Sequence, residues 1–209
     1  MIYKDRHDAG RALAEKLKKY ADENPVIIGI PRGGVVLGYE VAKALNAPLD
    51  IIVARKIGAP QNPELGIGAI APGKVTILNN ELVSMLSVSK QQLERIIEQE
   101  TSEMNRRINV YRKGLPDLDL NNKTVIVVDD GIATGISTMA AIASIKLSKP
   151  KKIILAVPVC PSDSVNKFEE NVDEFICLNA RADFYAVGQY YDNFEQTTDE
   201  EVIDLLQKA

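Results

Sequence analysis

The pattern of apolar and polar positions predicts alternating helices and buried strands in the N-terminal part of the chain. Residues 5–22 carry apolar side chains at helical spacing and predict an amphipathic helix. An apolar run at 26–30 predicts a buried strand, and after a glycine turn residues 35–45 predict a helix and residues 49–54 a second strand. Because strand, helix and strand follow in this order, we expect a βαβ unit with parallel strands and a right-handed crossover.

The middle of the chain interrupts this alternation. Residues 57–69 contain glycines and prolines without a strong period, which predicts a mobile loop or a hairpin, and residues 75–78 predict a short strand. The longest helix is predicted to begin after Ser89, where Gln92 three residues later completes a capping box, and to stop near Gly114. Its single apolar stripe favours a scaffold or homodimer helix over a helix that binds another partner.

The C-terminal half returns to strands that alternate with helices. It predicts strands at 125–128, 152–159 and 174–178, and helices at 136–147, 162–171 and 199–207. Together these elements predict an α/β fold with an open parallel sheet flanked by helices. Because no repeat or linker interrupts it, we expect one domain over residues 1–209, with a core at about 24–180 and a helical insertion at about 80–115.

Composition and charge narrow the classes of protein that fit. The chain has 209 residues, of which 45% are hydrophobic and 26% charged, as is usual for a soluble globular domain. Its net charge of −4 argues against a general nucleic-acid binder. Since no apolar run approaches the roughly 18 residues of a membrane span and the first residues lack a signal-peptide core, we expect a cytoplasmic protein without a membrane partner.

The cysteines and the histidine argue against metal and histidine chemistry. Cys160 and Cys177 lie in apolar, strand-like surroundings and are interpreted as reduced packing residues, because no Cys/His metal spacing is present. His7 has polar neighbours and is interpreted as a solvated residue at the start of the first helix. Histidine-based nucleophilic catalysis and zinc sites are therefore nearly excluded.

The candidate chemistry is concentrated at residues 125–138. A buried strand delivers Asp129 and Asp130 to the carboxyl edge of the predicted sheet, where open α/β folds place their ligands. Gly131 and Gly135 allow positive φ angles and close backbone approach, so that successive N–H groups can point into one concavity. Hydroxyl side chains and the start of the next helix complete an anion site that suits a phosphate.

Two carboxylates beside a phosphate site fit a ligand that has a vicinal diol. A carboxylate can accept both hydroxyl hydrogens of a ribose while the loop holds a 5-phosphate. Two alternatives exist for the acids alone: a metal site like that of receiver domains, or a simple helix cap. Receiver acids usually lie on the first strand, whereas 124 residues precede the predicted strand that leads to Asp129. The glycine-bracketed loop that follows also argues against a simple cap.

Residues 125–138 resemble the signature of the type I phosphoribosyltransferases, enzymes that use 5-phosphoribosyl 1-diphosphate (PRPP). The family pattern of an apolar strand, two acids and a loop that contains Thr-Gly matches here without a gap. The resemblance implies that Asp129 and Asp130 are catalytic residues that contact the ribose hydroxyls. It implies a 5-phosphate site formed by Gly131, Ile132, Ala133, Thr134, Gly135, Ile136 and Ser137.

The resemblance also implies a pyrophosphate site on two other segments. In the family the turn after the first strand binds pyrophosphate and carries a cis peptide that does not precede proline, and basic residues after the second strand face the leaving diphosphate. The alternatives are a plain strand–helix connection and solvated charges. The implied residues are Pro31, Arg32, Gly33, Gly34, Arg55 and Lys56, of which Lys56 is the preferred catalytic contact and Pro31–Arg32 the expected cis peptide.

The acceptor site is the least constrained by the sequence. Family members usually carry a hood that recognises the acceptor base, and the aromatic segment 179–198 is one candidate for it. Tyr185 and Tyr190 are the tentative acceptor contacts, and a local hydrophobic cluster is the equal alternative. The helical insertion is unusual beside the shorter family members, so analogy does not identify the acceptor.

The resemblance covers about residues 24–180 and implies a specific reaction. The expected enzyme transfers the phosphoribosyl group from PRPP to a nitrogen acceptor, a nucleobase, and releases pyrophosphate. Mg²⁺ is the expected cofactor, held through PRPP and water rather than directly by the protein. The alternatives are a PRPP- or nucleotide-sensing protein without turnover and a hydrolase of phosphoribosyl substrates.

Overall fold

The computed structural model describes residues 2–116 and 118–209. In chain order the strands are β1 (Val26–Gly29), β2 (Leu49–Ile51), β3 (Arg55–Ala59), β4 (Asn62–Ala71), β5 (Val75–Leu78), β6 (Thr124–Val128), β7 (Lys152–Pro161) and β8 (Glu174–Arg181). The α-helices are α1 (Arg6–Leu17), α2 (Gly33–Leu45), α3 (Asn80–Met85), α4 (Lys90–Tyr111), α5 (Ile136–Leu147), α6 (Val165–Glu169) and α7 (Asp199–Lys208). Short 3-10 turns lie at Lys18–Glu23, Ser162–Ser164 and Val187–Tyr190.

A five-stranded sheet in the order β2–β1–β6–β7–β8 forms the centre, and each pair of neighbouring strands is parallel. Alternate residues of β6 enter different cores, since Ile126 and Val128 pack with α1 and α2 whereas Val125 and Val127 pack with α5. Helices therefore cover both faces, and the strand is apolar from Val125 to Val128 for that reason. The predicted open parallel sheet flanked by helices is confirmed.

A second, three-stranded antiparallel sheet follows β2 in the order β3–β4–β5. Most of residues 57–69 belong to β3 and β4, so the hairpin alternative is correct for this segment. Its apolar residues Ala69 and Ala71 pack against Ala140 of α5. Arg55 begins β3 because this segment pairs with β4. The prediction that a core strand runs through residues 49–54 is wrong beyond Ile51, where β2 ends.

The long helix α4 has the predicted beginning. The Ser89 amide donates to Gln92 Oε1 at 3.0 Å, and the Gln92 amide donates to Ser89 Oγ at 3.2 Å, which completes the capping box. The Arg107 Nε donates to Glu103 Oε1 at 2.8 Å, one turn away. None of the helices in the two described ranges is long and apolar enough to cross a membrane.

His7 lies on the first helix as predicted and keeps 40% of its side chain exposed, but it also contacts a second helix, whereas the two cysteines pack as interpreted. His7 Nδ1 lies 2.7 Å from Glu40 Oε1 of α2. The helices approach closely because Gly10 has no side chain: a Cβ there would lie 2.9 Å from the Leu37 Cα. Cys160 is a free thiol in the hydrophobic interior, and Cys177 is a partly buried free thiol that packs against the same core. The described residues contain no metal-binding group of three or more acids, histidines and cysteines.

Candidate active site

The pairing of β1 with β6 brings the two predicted anion-binding turns together. Gly29 is in register with Val128, and the Ile30 amide donates to the Val128 carbonyl at 2.9 Å. The turn at 31–34 and the acids after β6 therefore leave the same sheet edge side by side. A Cβ on Gly34 would lie 2.5 Å from the Val128 carbonyl oxygen, so glycine allows this approach. The expected cis peptide between Pro31 and Arg32 is confirmed.

Asp130 is fixed through both its carboxylate and its backbone. The Arg6 Nε donates to Asp130 Oδ2 at 2.7 Å, and the Tyr191 hydroxyl donates to the Asp130 carbonyl at 2.6 Å. A Cβ on Gly33 would lie 1.9 Å from the same Oδ2 atom, so the turn at 31–34 and the acid are in direct contact. The Asp130 side chain keeps 17% of its surface exposed.

Asp129 lies next to Asp130 at the same edge. Its Oδ1 accepts the Asp130 amide at 2.9 Å, and its Oδ2 accepts the Thr138 hydroxyl at 3.4 Å. Burial, and then the neighbouring charge of Asp130, raise the pKa of Asp129 well above its ordinary value. Burial also raises the pKa of Asp130, but the charge of Arg6 opposes that rise. The pair therefore combines two acids in different electrostatic environments.

The loop from Gly131 to Ser137 presents backbone donors at the start of α5. Gly135 has a φ of 71°, and a Cβ on it would lie 2.5 Å from the Phe168 ring. Ala133 and Thr134 are exposed, and the described residues offer no backbone acceptor for their amides. With the first amides of α5, these are the donors that an anion site of the predicted kind requires.

Ile132 differs from its predicted role in this loop. Its side chain is buried in the core that contains α5, and its amide donates to the Val159 carbonyl at 3.0 Å. This amide is therefore occupied by β7 and does not face a phosphate. The isoleucine anchors the loop to the sheet, while its neighbours supply the accessible donors.

The three basic residues of the implied pyrophosphate site have different partners. Arg55 Nη2 lies 2.6 Å from Glu100 Oε2 of α4, so its guanidinium is directed toward the helical insertion. Arg32 Nη1 lies 3.5 Å from Asp199 Oδ1. Lys56 pairs at 3.3 Å with the highly exposed Glu64, a contact in which water screens the charges and which a ligand can replace. Lys56 is therefore the most available cation of the three.

The two tentative acceptor residues lie in unlike environments. Tyr185 is 89% exposed, whereas Tyr190 is 5% exposed and stacks on Phe184 with ring centroids 5.7 Å apart. The Tyr190 ring is part of the core and is not available to stack on an acceptor. Sequence alternation could not separate the two tyrosines, because Tyr190 lies in a 3-10 turn rather than a strand.

Sequence reasoning missed Arg6, Tyr191 and Phe194 as parts of the site. The guanidinium carbon of Arg6 lies 3.9 Å from the centroid of the Phe194 ring, and the Tyr191 and Phe194 rings are 4.9 Å apart. An arginine in the first turn of an amphipathic helix gives no local signal of this role. The aromatic composition of the tail was the available signal, although it did not indicate that the tail contacts Asp130.

A family model and two curated proteins that match this chain point to the same family. A sequence model of the phosphoribosyl transferase domain matches residues 2–195. "Putative phosphoribosyl transferase Rv0571c" of Mycobacterium tuberculosis strain H37Rv is 41% identical over 208 residues, which cover 100% of this chain and 47% of the relative. A counterpart from strain CDC 1551 gives the same values. The chain thus spans about half the length of the curated relatives that it matches.

Two solved structures support the fold. The protein TT1426 from Thermus thermophilus is 37% identical, superposes with a TM-score of 0.83, and the match covers 100% of this chain and 99% of that one. A hypothetical protein from Neisseria gonorrhoeae with bound ppGpp is 14% identical with a TM-score of 0.51, over 100% and 98% of the two chains. At that identity the second likeness concerns the fold alone.

We expect Asp129→Asn to stabilise the folded chain at neutral pH. A carboxyl whose pKa is raised by folding opposes folding when it ionises, so this contribution lowers the free energy of unfolding as pH rises from the ordinary toward the raised pKa. Asparagine removes that dependence. Urea unfolding at pH 5 and pH 8 measures the effect, and Asp22→Asn at an exposed position is the control. A variant less stable than the control at both pH values would contradict the burial argument.

Proposed function

The chain belongs to the phosphoribosyl transferase domain family, and from this premise we propose that it transfers a phosphoribosyl group from PRPP to a nitrogen acceptor and releases pyrophosphate. The activity of the longer relatives is not assumed in this proposal, which rests on the residues of this chain. The acceptor class that we propose is a nucleobase.

The observation that supports the proposal is the meeting of three features at one sheet edge. These are the acid pair after β6, the loop from Gly131 to Ser137 with accessible amides, and the glycine turn at 31–34 that touches Asp130. A ligand with a phosphate, a diol and a diphosphate has one group for each feature. PRPP has all three groups in one molecule.

The binding roles follow from the donors and acceptors present. The loop amides and the Thr134 hydroxyl donate to the 5-phosphate, and the start of α5 adds its favourable dipole. Asp129 and Asp130 accept the hydrogens of the ribose hydroxyls. The turn at 31–34 and Lys56 contact the diphosphate. These roles position the anomeric carbon between the leaving group and the acceptor.

In the proposed reaction the bond from the ribose C1 to the diphosphate oxygen breaks as the acceptor nitrogen forms its bond to C1. Positive charge develops on the ribose and negative charge on the departing diphosphate, which leaves with the bonding electron pair. The carboxylates stabilise the first charge, and Lys56 with the turn amides stabilises the second. The acceptor nitrogen finally loses its proton.

The residues present fit a Mg²⁺ ion that arrives with the substrate. The described part of the chain has no group of three or more acids, histidines and cysteines that could hold an ion alone, but two adjacent carboxylates lie at the proposed ribose site. Mg²⁺ commonly keeps several waters and binds substrate phosphates. When bound, it would neutralise charge on the diphosphate, and it would be held through PRPP and water while Asp129 and Asp130 accept the ribose hydroxyls.

Tyr185 is the proposed acceptor contact that remains after Tyr190 is excluded. It is exposed, and the amide of Tyr185 is held by the Gln189 side chain at 3.0 Å, so its backbone is anchored while its ring is free to stack. A hood at residues 179–198 stays part of the proposal. A homodimer likewise stays a prediction.

Release of pyrophosphate tests the proposed activity directly. The chain is incubated with Mg-PRPP and, separately, with each member of a panel of purine, pyrimidine and other amine acceptors. An enzyme releases pyrophosphate in the presence of one acceptor class. Binding of PRPP without release would favour the sensor alternative, and release without any acceptor would favour the hydrolase alternative.

We expect Thr134→Asp to abolish PRPP binding while the fold remains intact. A carboxylate at this exposed loop position repels the 5-phosphate and occupies its place. Calorimetric titration with Mg-PRPP measures the loss. Thr134→Asn introduces a side chain of the same size as aspartate without the charge and is the matched control. Unchanged affinity in a folded Thr134→Asp variant would place the phosphate elsewhere.

We expect Lys56→Ala to slow pyrophosphate release more than it weakens binding of the product nucleoside monophosphate, because that product lacks the diphosphate. Loss of one charge-assisted contact costs about 1.5–3 kcal/mol, or roughly ten- to hundred-fold in rate. Rate and product affinity are measured side by side, with Lys90→Ala at the exposed start of α4 as the control. Equal losses in both measurements would assign Lys56 to a different subsite.

A further inference from the structure

We propose that Arg6 is a positioning residue that holds the Asp130 carboxylate where a ribose hydroxyl meets it. The inference rests on the proposed function of the site, because Asp130 is there assigned to the ribose. It adds a residue from the first helix to a site otherwise formed by the loops after β1 and β6. It also gives the aromatic tail a role in the site other than acceptor stacking.

The Arg6 guanidinium bridges the acid and the tail. Its Nε donates to Asp130 Oδ2 at 2.7 Å, and its Nη1 donates to the Glu195 carbonyl at 2.5 Å. The side chains of Arg6 and Asp130 are 12% and 17% exposed, so the contact between them is formed with little competition from water. Because the planar group is held at two points, it can present Nε to the carboxylate in one orientation only.

Aromatic packing fixes the guanidinium from one face. Its central carbon lies 3.9 Å from the Phe194 ring centroid, a cation–π contact. The Phe194 ring packs on Tyr191, whose hydroxyl donates to the Asp130 carbonyl at 2.6 Å. The contacts therefore form a closed path from the Asp130 side chain through Arg6, Phe194 and Tyr191 back to the Asp130 backbone.

The start of α2 restricts the ion pair from another side. A Cβ on Gly33 would lie 1.9 Å from Asp130 Oδ2 and 2.7 Å from Arg6 Nε. The space that a side chain would need is filled by the two partners. Gly33 therefore belongs to the proposed pyrophosphate turn and also makes room for the Arg6–Asp130 pair.

The charges around Asp130 predict a measurable effect of Arg6 on the pKa of that carboxyl. The titratable groups that face Asp130 are Arg6 from α1, Asp129 from the end of β6 and Tyr191 from the tail, with Tyr3 next to Tyr191. Burial raises the pKa of Asp130, whereas Arg6 lowers it. An ionised carboxylate accepts hydrogen bonds from hydroxyl groups through both oxygens. Loss of Arg6 raises the pKa of Asp130, so the carboxyl protonates and loses part of its acceptor capacity first at low pH.

The test measures Mg-PRPP affinity by calorimetry from pH 5.5 to pH 8 for the unmodified chain, Arg6→Gln, Arg6→Lys and Arg11→Gln. Arg11 lies on the same helix with a 56% exposed side chain and is the control. Protonation of PRPP itself affects every variant alike, so each affinity is taken as a ratio to that of the control. Thermal unfolding and circular dichroism report the fold.

We expect Arg6→Gln to bind PRPP roughly ten- to hundred-fold more weakly than the control at pH 8, as for loss of a charged hydrogen bond. The fold loss of PRPP affinity relative to the control grows as pH falls, because Asp130 protonates at a higher pH without Arg6. Arg6→Lys keeps the charge but not the planar fork, so it restores the pH dependence of the control and only part of the affinity. If Arg6→Gln does not fold, Arg6→Lys still tests the planar fork, because a folded Arg6→Lys with the PRPP affinity of the control would overturn the inference.

Two outcomes overturn the inference and are distinguishable. PRPP affinity in Arg6→Gln equal to that of the control, or reduced by one constant factor at every pH together with a loss of thermal stability, would show that Arg6 only connects α1 to the tail. Absence of PRPP binding by the unmodified chain would overturn the proposed function, and this inference with it.

Discussion

The parallel pairing of β1 with β6 is the constraint on which the rest of the site depends. These strands lie far apart along the chain, yet their register places Gly29 beside Val128. The loops that follow both strands then leave the sheet at adjacent points, because parallel strands end at one edge. A slip of one residue would exchange the faces of Ile126 and Val127 and separate the glycine turn from the acids.

The acid pair is costly for the fold and useful for the proposed chemistry. Burial raises the pKa of both carboxyls, the charge of Asp130 adds to the rise at Asp129, and part of that cost is offset by Arg6 and by backbone amides. In the proposed reaction, negative charge at this edge would stabilise the cationic transition state. Glycine is needed at positions 33 and 34 because a larger side chain at Gly33 would displace the Asp130 carboxylate and one at Gly34 would collide with the end of β6.

Local pattern was sufficient for most of the fold and for the position of the acids. The buried strand before Asp129 and the capping box at Ser89 depend on neighbouring residues and agree with the structure. The cis peptide at Pro31–Arg32 was implied by the family resemblance and also agrees. Contacts between distant elements lay beyond local pattern: Glu40 approaches His7 from a different helix, and Glu100, the partner of Arg55, lies on the helical insertion.

The aromatic tail shows why long-range contacts were beyond a sequence argument. Its rings could have served as a hood or as a hydrophobic cluster, and the structure assigns different rings to different environments: Tyr190 is packed, Tyr185 is exposed, and Tyr191 hydrogen-bonds to the backbone at Asp130. Because the tail also holds Arg6, segments from both ends of the sequence converge on one carboxylate. Segments near the two ends of the sequence thus complete a site whose acids follow β6. A prediction centred on residues 125–138 therefore found the acids but not the residues that hold them.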